Sequence, residues 1–220
     1  MVFTEKPVSE QQRVASNLPT LWKHKARMCI RGDQHARFTA NTTTTYADAH
    51  LVRLLLALHK SNHALSSTDI TNAFLNANLT DGVFIPPYEL VRLGLVPSHT
   101  LWECQKAIYG LKESPKLWEK ERDEVLASVQ WKTHMSEFYL QQSHVHMSLW
   151  YMVQGPKPKV VSNRPCVPDG THPDCHTWVA SHIVGALIVY VDDLLVSAPL
   201  DINQAFMASL KSKWTTSEPE

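Results

Sequence analysis

Tyr190-Val191-Asp192-Asp193 stands between two apolar runs, residues 183–189 before it and 194–196 after it. Two short apolar runs joined by a polar pair predict a β-hairpin with a tight turn. The strands of such a hairpin are buried, and its tip carries two neighbouring carboxylates. Like charges this close resist joint ionisation, and a bound divalent cation is the usual remedy. The pattern asks for antiparallel sheet, a metal, and at least one more acidic ligand elsewhere in the chain.

With 220 residues and 44% hydrophobic content, the chain can bury a substantial core in one or two subdomains. Its 21 basic and 21 acidic residues give a formal charge of zero. That balance argues mildly against a large polyanion partner without excluding a local basic surface. Lys23, Lys25, Arg27, Arg31, Arg37, Arg53 and Lys60 do crowd the first 60 residues, whereas Glu119, Glu121, Asp123 and Glu124 dilute the second half. The four cysteines, at 29, 104, 166 and 175, form no dense framework and follow no signal peptide, which favours a reducing compartment. No apolar stretch approaches the roughly 18 to 20 residues that span a bilayer, so no membrane partner is expected.

Residues 1–20 are polar and aperiodic, like a leader or a fragment edge. Residues 25–31 alternate basic and apolar side chains, which predicts a strand with one cationic face. A leucine-rich amphipathic helix follows, with His50, Arg53, Ala57 and Lys60 on its polar side and a Thr of 42–45 or Asp48 as cap. Residues 64–70 predict a strand ending at Asp69, and residues 72–79 a short helical turn. Pro86-Pro87 stops the strand around Val83-Phe84-Ile85. Tyr109-Gly110 marks a turn, and Ser114-Pro115 supplies an N-cap and first helical position for a helix to about Val129, with Trp118, Val125, Leu126 and Val129 as its apolar stripe. Strands are expected at 138–141 and 148–153, a loop or insertion at 154–178, and a helix at 202–214. Mixed helices and antiparallel strands without βαβ alternation favour an α+β fold.

Asp69, at a strand end, is the best candidate for the third carboxylate. Mg²⁺ takes oxygen ligands and often only one or two protein carboxylates. Two ions about 3.5–4 Å apart can activate an attacking hydroxyl and stabilise a leaving oxygen. By position alone, an aspartate at a strand end is more often a turn or cap residue.

Four segments in order carry a resemblance. Thr68-Asp69-Ile70-Thr71-Asn72-Ala73-Phe74-Leu75 resembles the first polymerase motif of copia-type LTR-retrotransposon reverse transcriptases. Ile108-Tyr109-Gly110-Leu111-Lys112-Glu113-Ser114-Pro115-Lys116-Leu117-Trp118 resembles their second, and Tyr190-Val191-Asp192-Asp193 their third. Lys25-Ala26-Arg27-Met28-Cys29-Ile30-Arg31-Gly32 resembles the start of their fingers. The resemblance covers roughly residues 20–215. It implies a right-hand polymerase palm and fingers, with fingers mainly at 21–62 and 80–110, palm for the rest to 216, a truncated end at 217–220, and the thumb missing.

The resemblance further implies an RNA-directed DNA polymerase. A primer 3′-hydroxyl would attack the α-phosphate of a deoxynucleoside triphosphate, with two Mg²⁺ ions or Mn²⁺ as substitute. Asp69 and Asp192 would bind the metals, Asp193 would act more indirectly, and the Ile70 carbonyl would add an oxygen ligand. Phe74 would lie under the sugar and exclude a 2′-hydroxyl, although position alone would make it an ordinary core aromatic. Tyr109 and Gly110 would lie against the nucleotide and template. Lys112, Ser114, Pro115 and Tyr190 would serve template and primer. Lys25, Arg27 and Arg31 would meet the triphosphate, with a solvated strand face as the alternative, and Lys211 or Lys213 would lie near pyrophosphate. Implied partners are an RNA or DNA template with primer, dNTPs, and the thumb, ribonuclease H and integrase parts of a Pol polyprotein. The implied location is a cytoplasmic virus-like particle or the nucleus. The alternative is a truncated, inactive remnant that only binds nucleic acid or a partner. His146 departs from the family, which usually has an acidic residue there. Cys166, His172, Cys175 and His176 carry zinc-ligand chemistry in a spacing that matches no common finger; a flexible loop is the default reading.

Overall fold

In the computed structural model the described residues are 2–7, 22–27, 29–30, 44–45, 47–157 and 182–219. In chain order their elements are β1 (Val2–Pro7), β2 (Trp22–Arg27), α1 (Ala49–Leu58), β3 (His63–Asp69), α2 (Ala73–Asn76), β4 (Asn78–Phe84), α3 (Tyr88–Arg92), β5 (Trp102–Lys106), α4 (Ser114–Ser128), β6 (Gln130–Lys132), β7 (Glu137–Gln142), β8 (Leu149–Gln154), β9 (Ile183–Tyr190), β10 (Asp193–Pro199) and α5 (Leu200–Lys211). The fold is mixed α and β, with antiparallel pairing throughout these strands.

The chain forms two compact units, one of Met1–Thr42 with Phe74–Leu117, the other of Thr43–Ala73 with Trp118–Glu220. In the first unit β1 pairs with β2, and β4 with β5. The stretch 1–20, read from its polarity as a leader, therefore contributes a strand: Val2 lies opposite Arg27 and Pro7 opposite Trp22. Such long-range pairing leaves no local periodicity to read. Strand β2 ends at Arg27, short of the alternating pattern that runs to Arg31. Strand β4 ends at Phe84, ahead of Pro86-Pro87, as proline's missing N–H requires.

In the second unit six strands form one sheet in the order β3-β10-β9-β8-β7-β6. Side chains alternate between the two faces of a strand, and directly opposed residues share a face. The pairs Leu194↔Val189, Val196↔Leu187 and Leu187↔Trp150 put these buried residues on one face. Ser66, on the same face, donates to Asn203 of α5 at 2.8 Å, and Trp131 of β6 packs against Phe206 of α5 at 4.9 Å. Helix α5 therefore covers this face. Asp193, Leu195 and Ser197 point to the other face, with Asp69, Ser67 and Leu65 opposite them.

Helix α1 belongs to this second unit, whereas the resemblance assigned residues 21–62 mainly to the fingers. Asp48 caps it, accepting from the Leu51 amide at 2.9 Å, and an extended His59 stops it. Of its leucines only Leu55 is buried; Leu54, Leu56 and Leu58 are exposed. Lys60 lies beyond the helix end. Helix α4 buries Trp118, Glu119, Arg122 and Leu126, so charged residues occupy part of its inward face. Val125, expected in the stripe, is only half-buried.

A polar latch joins the end of α1 to the sheet. Ser197 Oγ lies 3.0 Å from His59 Nδ1 and 3.4 Å from His63 Nδ1. One hydroxyl can donate to one imidazole while accepting from the other. Burial first, then Lys60 and His59, push the His63 pKa below its usual 6.5. A depressed histidine means that the unfolded chain binds the proton more readily, so this contribution to stability is present above pH 6.5 and is lost as pH falls. His63→Gln should therefore flatten the decline in melting temperature between pH 7 and 5, measured by circular dichroism; an unchanged slope would rule out the latch as its source.

Candidate active site at the hairpin tip

The hairpin expected from the sequence is β9–β10, closed by the two residues Val191 and Asp192 between the paired residues Tyr190 and Asp193. Asp193 also lies directly opposite Asp69 of β3. Directly opposed antiparallel residues have Cβ atoms about 4.5–5.5 Å apart. The fold thus brings Asp69 and Asp193 onto one face at one end of the sheet, with Asp192 in the adjoining turn.

Backbone contacts fix this end. The Ile70 amide donates to the Asp192 carbonyl at 2.9 Å. Val191 adopts φ 55, the left-handed region where a β-branched residue is an outlier and where Gly normally opens a two-residue hairpin turn. Its carbonyl accepts from Trp118 Nε1 at 2.8 Å and from Arg122 Nη1 at 3.3 Å. Strand β3 lies at the sheet edge, and the segment after α5 covers that edge. Thr216 bridges Ile70, and the Ser217 amide donates to the Asp69 carbonyl at 2.9 Å. Ser217 Oγ in turn accepts from the Asp69 amide at 2.9 Å.

Asp69 and Asp192 are half-buried and Asp193 is exposed. Partial desolvation, and then the Asp192 carboxylate beside it, hold the Asp193 carboxyl above the ordinary carboxylate range. Among the described residues no three acidic, imidazole or thiol side chains converge as a metal-binding group. The donors at the tip are nonetheless all hard carboxylate oxygens, the type that Mg²⁺ takes, and it needs only one or two from protein. The residues present fit such an ion on donor chemistry. Ile70 is fully buried, so the carbonyl expected as a further ligand carries no exposed surface.

The other expected residues are placed as follows. In the first unit Phe74 and Tyr109 are half-buried and meet edge to face at 4.9 Å between centroids. Gly110 has φ +94, and a Cβ there would lie 2.0 Å from the Ile30 carbonyl oxygen. The neighbouring Tyr109 carbonyl accepts from the Ile30 amide at 2.8 Å. The close approach that demands glycine is thus already made by the chain itself. Ser114 is the first residue of α4. It is buried, and its hydroxyl donates to the Ile108 carbonyl at 2.7 Å and accepts from the Ile108 amide at 3.2 Å. It clamps the loop ahead of α4. Lys112 is exposed, Pro115 is half-buried, and Tyr190 is exposed opposite Asp193.

Lys25 and Arg27 lie in β2 by their backbone; their side chains, Arg31, and the Cys166, His172, Cys175 and His176 cluster lie outside the described residues. Lys211 pairs with Glu218 at 3.0 Å. His146 Nδ1 accepts from the Ser148 amide at 3.2 Å, which ties the β7–β8 turn. Trp118, Arg122 and Ser217 were not foreseen at the tip. Trp118 lay inside a quoted motif, but a buried indole donor cannot be told from a core aromatic by spacing.

The family described as "Reverse transcriptase (RNA-dependent DNA polymerase)" matches residues 8–145, more than half of the chain. The chain belongs to the reverse transcriptase family. A curated relative, the "Truncated transposon Ty1-A Gag-Pol polyprotein" of Saccharomyces cerevisiae, is 34% identical over 101 residues, covering 43% of this chain and 8% of that protein. Together these identify a copia-type retrotransposon reverse transcriptase region. The chain thus spans less than a tenth of the curated relative it matches. No solved structure matches it. The family match starts within the presumed leader and includes Asp69, but it ends before the β9–β10 hairpin.

The raised Asp193 pKa has a sign that can be tested. A carboxyl that is easier to protonate when folded favours folding at pH values below its ordinary 3.8, and that advantage disappears as pH rises through the higher folded value. At neutral pH with chelator present, Asp193→Asn should raise the melting temperature, and the gain should vanish as pH approaches 3.8. A neutral or lower melting temperature at pH 7 would refute this account.

Proposed function

We propose that this chain carries the polymerase centre of a copia-type element, an RNA-directed DNA polymerase that extends a primer from deoxynucleoside triphosphates. The observation that carries the reading is the register that sets Asp193 opposite Asp69, with Asp192 bonded through its carbonyl to Ile70. The six-stranded sheet would serve as the palm, and the first unit, with β1, β2, β4 and β5, would contribute fingers.

Asp69 and Asp192 would hold Mg²⁺, with Mn²⁺ as a substitute, and Asp193 would bias the charge beside them. The bound metal would supply neutralisation of phosphate charge and a more acidic primer hydroxyl. The protein's own part is positioning and charge, as in phosphoryl transfer generally. Phe74 would sit under the incoming sugar and exclude a 2′-hydroxyl, with Tyr109 against its ring. Lys112 and Pro115 would lie near the template, Tyr190 near the primer end, and Lys25, Arg27 and Arg31 near the triphosphate. Contacts to nucleic acid would go mostly to sugar and phosphate, because a polymerase must accept every sequence.

Primer extension on an RNA template with Mg²⁺ or Mn²⁺ tests the reading. Asp192→Asn should lower the rate by at least about a hundredfold. Extension unchanged by that substitution would sink the proposed site, while no extension by the unaltered chain would favour an inactive remnant that only binds. Phe74→Ala should raise ribonucleotide incorporation relative to deoxynucleotide incorporation; an unchanged ratio would remove Phe74 as the sugar gate.

A further inference from the structure

We propose that Trp118 and Arg122 are positioning residues for the tip carboxylates, acting through the Val191 carbonyl. This rests on the polymerase reading above.

The Val191 carbonyl belongs to the peptide bond that joins Val191 to Asp192. A peptide unit is planar, so fixing its oxygen fixes the direction in which the Asp192 Cα leaves. Two donors hold that oxygen, Trp118 Nε1 at 2.8 Å and Arg122 Nη1 at 3.3 Å, and both residues are buried to within a few per cent. The next carbonyl along, that of Asp192, is held by the Ile70 amide at 2.9 Å. Asp192 is therefore bracketed by two anchored peptide units, one tied to α4 and the other to the residue after Asp69.

Each donor is itself fixed. The Trp118 ring meets Trp214 edge to face at 5.6 Å. Arg122 donates to Asp123 Oδ1 from Nε at 3.0 Å and from Nη2 at 2.8 Å, and Asp123 Oδ2 accepts from Gln142 Nε2 at 3.2 Å. A buried guanidinium is costly unless it is paired and hydrogen-bonded. Here Asp123 pairs with the guanidinium, Gln142 of β7 holds Asp123 in turn, and Nη1 reaches the turn. Val191 stands in the left-handed region, so the two buried donors on its carbonyl hold the turn and also fix the direction of the peptide that leads into Asp192.

The test is Mn²⁺ binding to the unaltered chain and its variants, followed by electron paramagnetic resonance, with thermal unfolding measured in parallel. Trp118→Phe keeps a ring against Trp214 and removes only the indole donor. It should lower the melting temperature by about 5 °C or less, yet weaken Mn²⁺ binding by about tenfold or more, as loss of a partner outside the ligand set commonly does. Trp131→Phe, which alters core packing against Phe138 and Phe206 and leaves the Trp118 hydrogen bond in place, should leave Mn²⁺ affinity unchanged. Asp192→Asn should abolish binding. If Asp192→Asn binds like the unaltered chain, the metal reading itself is wrong. If Asp192→Asn loses the ion while folded Trp118→Phe retains full affinity, the positioning role is overturned. Should Trp118→Phe fail to fold, Arg122→Lys replaces it, and full Mn²⁺ affinity in that folded variant overturns the role equally.

Discussion

The placement of β10 between β3 and β9 is the constraint from which the rest of the site follows. Its register sets Asp193 opposite Asp69 on one side and Tyr190 on the other. A slip of one residue would turn Asp193 towards the face covered by α5 and would lift Leu194, Val196 and Ala198 out of a core where each is fully buried. Burying a Leu or Val side chain is worth roughly 1.5–3 kcal/mol each. Several such residues act together along this strand, so register is set by the apolar face. The carboxylates are carried into place as the opposite half of the same alternation.

The turn is held by a different logic. A non-glycine residue in the left-handed region costs about 1–3 kcal/mol, and Val191 occupies it at φ 55. Net hydrogen bonds return about 0.5–1.5 kcal/mol each, more where a charged donor is involved. The two donors on the Val191 carbonyl thus offset most of that cost, and the conformation depends on α4 as much as on the hairpin. Asp69 is treated in the same way from the other edge, where Ser217 bonds both its amide and its carbonyl. The residue after β3, helix α4 and the segment after α5 thus hold the backbone of Asp192, Val191 and Asp69 respectively.

Much of the local structure was legible because its signals are local. Asp48 caps α1, Pro86-Pro87 follows the end of β4, and the apolar–polar–apolar pattern forms the β9–β10 hairpin. The parts that were not legible depend on distant partners. Strand β1 exists through pairing with β2, and polarity in residues 1–20 carries no trace of it. Glu119 is buried on α4, where its carboxylate accepts from the Thr45 amide at 3.0 Å. Arg122 is buried because Asp123, Gln142 and the Val191 carbonyl surround it. An amphipathic count assigns both to solvent. Ser114 shows the converse: Ser-Pro suggests a helix cap, while the hydroxyl instead ties down Ile108 six residues earlier.

Turn chemistry alone does not account for the residues at the tip. A two-residue hairpin turn with positive φ at its first position is best served by Gly there, with Asn or Asp after it. The chain instead places Val at 191, then follows it with two carboxylates where asparagine would close the turn without charge. Burial, and then the adjacent Asp192 carboxylate, raise the proton affinity of Asp193, so folding places a carboxyl where its charge is disfavoured. Along β10 the face that carries Leu194, Val196 and Ala198 is buried. A β-branched residue in the left-handed region followed by two adjacent carboxylates is a departure from local rules of the kind that marks a functional site. The repulsion between the adjacent Asp192 and Asp193 carboxylates is the kind that a divalent cation relieves, and the Trp118, Arg122, Ile70 and Ser217 contacts at this end hold backbone atoms, fixing where those carboxylates are presented.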